Sequence, residues 1–293
     1  SKTSLNYDAF DAIFNSKDSK KVNLDTKIGL VKGSAINFYD DNIIESEVND
    51  FYKRKNIEDP SKPISLGLNS KLIKVDGVIK EKVWKLDGMY SNSIEKIIFW
   101  LKKAKSVSEN DQQKKAFGLL IKYYETGDLK IWDDYNIEWV KTLNGDIDYI
   151  NGFIEVYNDP MAYKASFESV VQIKDFEMSK KMDVISKHAQ WFEDNSTISN
   201  DHKRKNVVGI SYNTVNVASE AGATSPSSPI GINLPNANWI RAKHGSKSVS
   251  LGNILFSYAN AGSSGRINEF AYNKNQIEIE KKYGSEADDL HTA

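Results

Sequence analysis

Apolar residues over the first ~145 positions recur mostly at helical spacing. Tyr7, Phe10, Ile13 and Phe14 predict a helix over Asn6–Asn15, and Val48, Phe51 and Tyr52 share one face of Glu45–Asn56. Asn92-x-x-Glu95 has the form of a capping box and predicts a helix start ahead of Ile94, Ile97, Ile98 and Leu101. Asn110 or Asp111 is suited to cap the next helix, whose stripe of Phe117, Leu120, Tyr123 and Tyr124 ends at Gly127. Asp133 and Asp134 precede a short helix carrying Ile137, Trp139 and Val140. One segment breaks the pattern: Leu72–Val75 and Val78–Trp84 flank Asp76-Gly77, a dipeptide that tolerates the positive φ of a type I′ turn, and predict a hairpin.

Past residue 150 the period changes. Ile150–Tyr157 alternates as a strand would, with Phe153, Glu155 and Tyr157 on one face, and Asn158-Asp159-Pro160 reads as a turn. A second strand is expected over about Tyr163–Ile173, then a long helix from Lys174 to Asp194 with Met178, Met182, Ile185, Ala189 and Phe192 as its buried seam. Residues 206–240 carry a single charge, Glu220, with three prolines and six asparagines. Such a neutral stretch suits either extended chain lining a groove or ordinary buried loop and strand. Ser250–Ala261 and Gln276–Tyr283 read as helices around a Ser263-Ser264-Gly265 joint.

A length of 293 residues suggests two folding units. Lys and Arg number 39 against 40 Asp and Glu, which argues against a nucleic-acid partner that would need a basic excess. Cysteine is absent, so neither a disulfide nor a thiolate zinc site can form. No apolar leader and no run of about 18 apolar residues is present, so no membrane span is expected. The compartment stays open between cytoplasm and periplasm, with cytoplasm preferred. The histidines 188, 202, 244 and 291 are isolated, and no H-E-x-x-H, G-x-S-x-G, P-loop or dinucleotide fingerprint occurs.

Two softer constellations remain. Glu155 and Tyr157, two residues apart before a turn, can pair a carboxylate for an ammonium with a phenol that donates to a carbonyl oxygen. An exposed cross-strand position explains them equally simply. Asn233 and Asn236, separated by Leu234-Pro235, offer two amides for a peptide backbone or amino terminus, or are plain turn formers.

Asn151-Gly152-Phe153-Ile154-Glu155-Val156-Tyr157-Asn158-Asp159-Pro160, with Ser166-Phe167-Glu168-Ser169, resembles a signature of the dipeptidyl peptidase III family of zinc metallopeptidases. Gly231-Ile232-Asn233-Leu234-Pro235-Asn236 and Lys247–Asn253 resemble a second block in the expected order, and Gly67–Ser70 and Gly88–Tyr90 extend the likeness, closest to bacterial members. The resemblance implies an α+β fold whose lower lobe holds a five-stranded β-barrel surrounded by helices, facing a mainly helical upper lobe across a cleft. It implies release of dipeptides from the free N-terminus of short peptides. Glu155, Asn233 and Asn236 would hold the ammonium, Glu168 the neighbouring subsite, and Tyr157 would act as the catalytic tyrosine at the carbonyl oxygen. Ser228, Pro229 and Ile230 would lie on the edge where the peptide adds as a strand.

The family also carries H-E-x-x-x-H and a glutamate-rich motif that bind zinc; neither occurs here, and Asp288–Ala293 resembles the approach to the first. The resemblance therefore implies a fragment: residues 1–175 and 217–262 as lower lobe, 176–216 and 263–293 as partial upper lobe. Zinc would belong to the parent enzyme, with no metal ligand and no hydrolysis expected of the fragment alone. The rival is a non-catalytic peptide-binding module. The oligomeric state is not indicated.

Overall fold

The computed structural model describes residues 23, 27–34, 36–55, 59–207, 211–226 and 228–262. The helices expected over Asn6–Asn15 and Gln276–Tyr283, and the Ser263–Gly265 joint, lie outside the described residues. The chain divides into two compact units: residues 1–104, 117–133 and 153–167 form unit 1, and residues 105–116, 134–152 and 168–293 form unit 2.

After one short helical turn at Leu30–Gly33, the first longer helix of unit 1 is α1 (Glu45–Lys53), whose Glu47 carboxylate accepts from the Ile44 amide at 3.1 Å and whose Val48 and Tyr52 are buried. The hairpin β1 (Ser70–Val75) and β2 (Val78–Val83) pairs antiparallel in the expected register, with Asp76 and Gly77 at φ 52 and 76. Val31, Tyr39, Ile43, Val48, Tyr52 and Leu72 make the core here, and Met161 and Tyr163 pack against it. Three helices follow, α2 (Ser91–Ser106) and α3 (Asp111–Thr126) of 16 residues each and α4 (Leu129–Val140), and each is divided between the two units.

Asn110 caps α3 by accepting from the Gln113 amide at 2.9 Å, and Gly127 closes it at φ 72. The expected stripe of Phe117, Leu120, Tyr123 and Tyr124 is buried. The other two helix starts are corrected. The α2 helix opens at Ser91, with the Ser93 and Ile94 amides on the Tyr90 carbonyl, so Asn92 lies within it. Asp128, accepting from the Lys130 amide at 2.8 Å, starts α4 a turn earlier than expected, which leaves Asp133 and Asp134 inside the helix.

Unit 2 is built on five strands: β3 (Ile147–Phe153), β4 (Phe167–Lys174), β5 (Ser211–Gly222), β6 (Gly231–Leu234) and β7 (Lys247–Leu251), in the order β3-β4-β5-β7-β6. The β4 and β5 strands run antiparallel, β5 and β7 parallel, and β6 and β7 antiparallel. Among the described residues no ladder joins β3 to β6, so the five strands form an open sheet instead of the closed barrel expected. The neutral 206–240 stretch supplies the central strand β5 and the edge strand β6.

The long helix is interrupted: α5 (Phe176–Lys187), capped by Asp175, stops at His188, and α6 (Ala189–Asp194) restarts after it. Its expected seam is not buried, with Met178, Ile185 and Phe192 all exposed. The helix instead rests on β5 through Ser179, whose hydroxyl donates to the Thr214 carbonyl at 3.2 Å, and this turns the Met–Ile stripe away. The short α7 (Asn238–His244) leads into β7, and α8 (Gly252–Gly262) begins two residues later than expected because Ser250 and Leu251 finish β7.

Two glycines separate backbone strain from crowding. A Cβ at Gly77 would have no atom within 4 Å, whereas at Gly67 (φ 83) a Cβ would overlap the Tyr52 phenol and come within 3.0 Å of Lys164 Nζ. Gly77→Ala is expected to cost about 1 kcal/mol from positive φ alone, and Gly67→Ala roughly 2–4 kcal/mol, in urea unfolding.

Candidate functional site

Strand β3 ends at Phe153, whose ring packs 4.8 Å from Trp84 and 5.9 Å from Phe167. Glu155 and Tyr157 therefore lie beyond the strand, in the turn that follows, and not on the strand face expected. The chain stays paired a little further: the Ile154 amide donates to the Ser166 carbonyl at 3.1 Å and the Ser166 amide to the Glu155 carbonyl at 2.9 Å. The Asn158 amide group donates to Ser166 Oγ at 2.7 Å across the same neck. Glu155 is half-buried, and its carboxylate makes no hydrogen bond or ion pair among the described residues. Tyr157 stands at 78% exposure on the turn.

The turn is fixed by Asp159, buried at 4% exposure. Its carboxylate accepts from the Tyr39 hydroxyl at 2.7 Å and from the amides of Met161, Tyr163 and Lys164 at 3.0, 2.9 and 2.8 Å. Below it lies Lys164, fully buried, with its ammonium donating to the Tyr52 hydroxyl, the Gly67 carbonyl at 3.2 Å and Ser70 Oγ at 3.0 Å. The Tyr52 and Ser70 hydroxyls each donate to Glu81 Oε1 at 2.9 Å, and Lys55 pairs with the other Glu81 oxygen. Burial pushes the Lys164 ammonium down to about 7 against the opposing pull of Glu81 and Asp159, while Lys55 adds to the lowering. Burial, with Asp159 and Glu81 respectively, raises the Tyr39 and Tyr52 phenols, so both stay neutral. For Glu81 burial acts the other way, but Lys55, Lys164 and Ser70 together hold its carboxyl below the usual range.

The remaining site candidates belong to unit 2. Glu168 is the second residue of β4 and pairs with Gly222 on β5, while Val170 pairs with Glu220. Opposed residues share a sheet face, so Glu168 and Glu220 are diagonal neighbours. Ser228 donates its hydroxyl to Glu220 and its carbonyl accepts from the Tyr258 hydroxyl at 3.4 Å. Glu220 thus ties Ser228-Pro229-Ile230 to the β4–β5 face that carries Glu168. The Ile230 carbonyl accepts from the Leu251 amide at 3.0 Å, leading the chain into β6, where Ile232 and Leu234 face inward and Asn233 is exposed. Asn236, just past the strand, is exposed as well. Glu220 and Lys164 were not among the residues expected to matter. The first had a signal, as the lone charge of a neutral stretch; the second had none.

No group of three or more His, Asp or Glu among the described residues is arranged to hold a metal ion, and His188, His202 and His244 are exposed. The described residues therefore do not fit a zinc ion. No helix among the described residues is long and apolar enough to cross a membrane.

A family model described as Peptidase family M49 matches residues 66–291, which include every site candidate above. The chain belongs to this family, that of dipeptidyl peptidase III. It is 26% identical over 172 residues to dipeptidyl peptidase 3 of Nematostella vectensis, covering 59% of this chain and 23% of that protein. Dipeptidyl peptidase 3 of Homo sapiens is 26% identical over 168 residues, 57% of this chain and 22% of its own length. The match thus spans less than a quarter of the length of these M49 relatives. Among solved structures, DPP III from Caldithrix abyssi superposes with TM-score 0.65 at 24% identity, over 76% of this chain and 42% of that one. Dipeptidyl-peptidase III from Corallococcus sp. strain EGB gives 0.61 at 20%, over 76% and 41%. The mixed α+β fold with its five-stranded sheet is shared with these M49 structures.

The turn separates stability from exposure. Asp159→Ala, which strips four donors of a buried acceptor, is expected to cost about 3 kcal/mol or more in urea unfolding, whereas Tyr157→Phe stays within about 0.5 kcal/mol of the parent chain.

Proposed function

We propose that the chain is part of a zinc-dependent exopeptidase that releases dipeptides from the N-terminus of short peptides, and that it carries the peptide-binding side of the cleft. In this reading residues 1–175 and 217–262 belong to a lower lobe built on the five-stranded sheet, and 176–216 and 263–293 to the start of an upper lobe. Glu155, Asn233 and Asn236 hold the ammonium of the peptide. Glu168 lines the neighbouring subsite, and the Tyr157 hydroxyl donates to the carbonyl oxygen as charge develops on it. Ser228, Pro229 and Ile230 lead the peptide onto the free edge of β6, where main-chain hydrogen bonds accept many side chains.

The observation that carries the reading is Glu155. A half-buried carboxylate with no protein donor among the described residues keeps its lone pairs open to solvent and to a cationic ligand. The exposed phenol of Tyr157, two residues on along the same braced turn, and the one-sided pairing of β6 support it. Zinc enters only through the family: its H-E-x-x-x-H is not among these 293 residues, and the chain alone is proposed to bind peptides without hydrolysing them.

Titration calorimetry with a tripeptide tests this. Binding is expected with a free N-terminus and is weakened roughly 10- to 100-fold by N-acetylation or by Glu155→Ala, the loss of one charge-assisted hydrogen bond. Equal affinity for the free and acetylated peptide overturns the assignment of Glu155, Asn233 and Asn236. Cleavage of a dipeptide-arylamide by the chain, abolished by a chelator, overturns the inactive-fragment reading.

A further inference from the structure

We propose that Lys164 is a positioning residue for Tyr157: its ammonium matches three fixed oxygens, and this match locks the turn between Val156 and Ser166. The inference rests on the role given to Tyr157 above, and it concerns a residue outside the peptide-contacting set.

An ammonium has three N–H donors and no lone pair. Lys164 meets three oxygens: the Tyr52 hydroxyl, the Gly67 carbonyl and Ser70 Oγ. The Tyr52 hydroxyl donates to Glu81 Oε1, and the Ser70 hydroxyl has Glu81 Oε1 at 2.9 Å and the Gly67 carbonyl at 3.3 Å as acceptors, so each hydroxyl presents its oxygen to the nitrogen. Every donor in the knot then has an acceptor. An uncharged amine has two N–H groups for the same three oxygens, and its lone pair must face one of them. Either a hydroxyl abandons Glu81 or the nitrogen shifts.

That shift has one route outward. The Lys164 backbone amide is bound to Asp159 at 2.8 Å, and Asp159 also holds Met161, Tyr163 and Tyr39. The next residue, Ala165, donates to the Leu68 carbonyl at 3.0 Å, beside the same knot. The Asp159 amide in turn donates to the Val156 carbonyl at 2.9 Å, which closes the short loop around Tyr157. A movement of the amine is passed to the residue that carries the phenol.

The groups facing Lys164 set where its proton leaves. Glu81 from β2 and Asp159 from the turn favour the ammonium; Lys55, beyond the end of α1, opposes it. The ring centre of Tyr39 lies 5.9 Å from Nζ and that of Tyr52 4.8 Å, and Tyr163 stacks on Tyr52 at 4.3 Å. Burial brings the balance near neutral pH, and both phenols that touch the knot remain protonated there.

Met161 reports on the turn, because its amide binds Asp159 and its side chain packs on the core of unit 1. The full 293-residue chain, labelled with methyl-13C methionine, gives a resonance assigned through Met161→Leu. In the peptide-free protein this resonance is expected to titrate with a midpoint near pH 7. It should be flat in Lys164→Arg, whose guanidinium keeps its charge. In Glu81→Gln, which removes an anion that favours the ammonium, the midpoint should fall. The affinity for a tripeptide with a free N-terminus, divided by that of Lys164→Arg at the same pH, should drop about fivefold between about pH 6 and 8.5, the worth of one neutral hydrogen bond. Titration of the peptide amine cancels in that ratio.

A flat Met161 resonance in the parent chain, or the same titration in Lys164→Arg, overturns the proposal. If Lys164→Arg does not fold, the parent and Glu81→Gln midpoints decide, and equal midpoints overturn it. The reading of Tyr157 fails separately: Tyr157→Phe binding as tightly as the parent at about pH 6 removes that role whatever Met161 does, whereas weakened binding with a flat Met161 keeps Tyr157 and removes Lys164.

Discussion

A lysine ammonium with no exposure to water is the constraint around which unit 1 is arranged. An unpaired buried charge of this kind costs several kcal/mol, and removing its partners leaves the cost in full. The fold answers with oxygens drawn from separate segments: Tyr52 from α1, Gly67 ahead of β1, Ser70 at its start, and Glu81 from β2 behind two of them. None of these segments can move without breaking the match. This explains why Gly67 has no room for a side chain and why Tyr52, a helix residue, is held at both its ring and its hydroxyl.

The same unit treats two carboxylates four residues apart in opposite ways. Asp159 accepts four hydrogen bonds and is buried; Glu155 accepts none among the described residues and is half-open to solvent. A buried carboxylate that already accepts four hydrogen bonds is structural material, because little of its capacity is left for a ligand. An unsaturated one at the neck of a rigid turn, still open to solvent, is available to a cation. Unit 1 thus commits one carboxylate to holding its shape and leaves the other open, and Tyr157 sits between the two.

What the sequence revealed divides by the range of the forces involved. The Asp76-Gly77 hairpin, the α3 stripe with its Asn110 cap and Gly127 stop, and the neutrality of 206–240 were legible because each depends on neighbours within a few positions. The end of β3 was not: alternation continues through Tyr157, but pairing ends at the Ser166 contacts of Ile154 and Glu155, past which the turn at Asp159 takes the chain away. The α5 seam misled because Ser179, a small polar residue, is the one that meets β5. Lys164 was out of reach altogether. Lysine is ordinarily a surface residue, and the three oxygens that hold it lie 94 to 112 positions away in the chain.

An edge strand without charges is usually a hazard, since its free amides and carbonyls invite any other strand to pair. Here β6 is four residues long and is flanked by Pro229 and Pro235, neither of which has an amide to offer. Shortness and proline limit indiscriminate pairing, so the edge needs no lysine to defend it. The one charge in the stretch, Glu220, lies on the central strand β5 and is engaged by Ser228, fixing how the chain enters β6. A neutral edge with a fixed entry is a surface on which backbone hydrogen bonding can discriminate by length and direction while ignoring side chains.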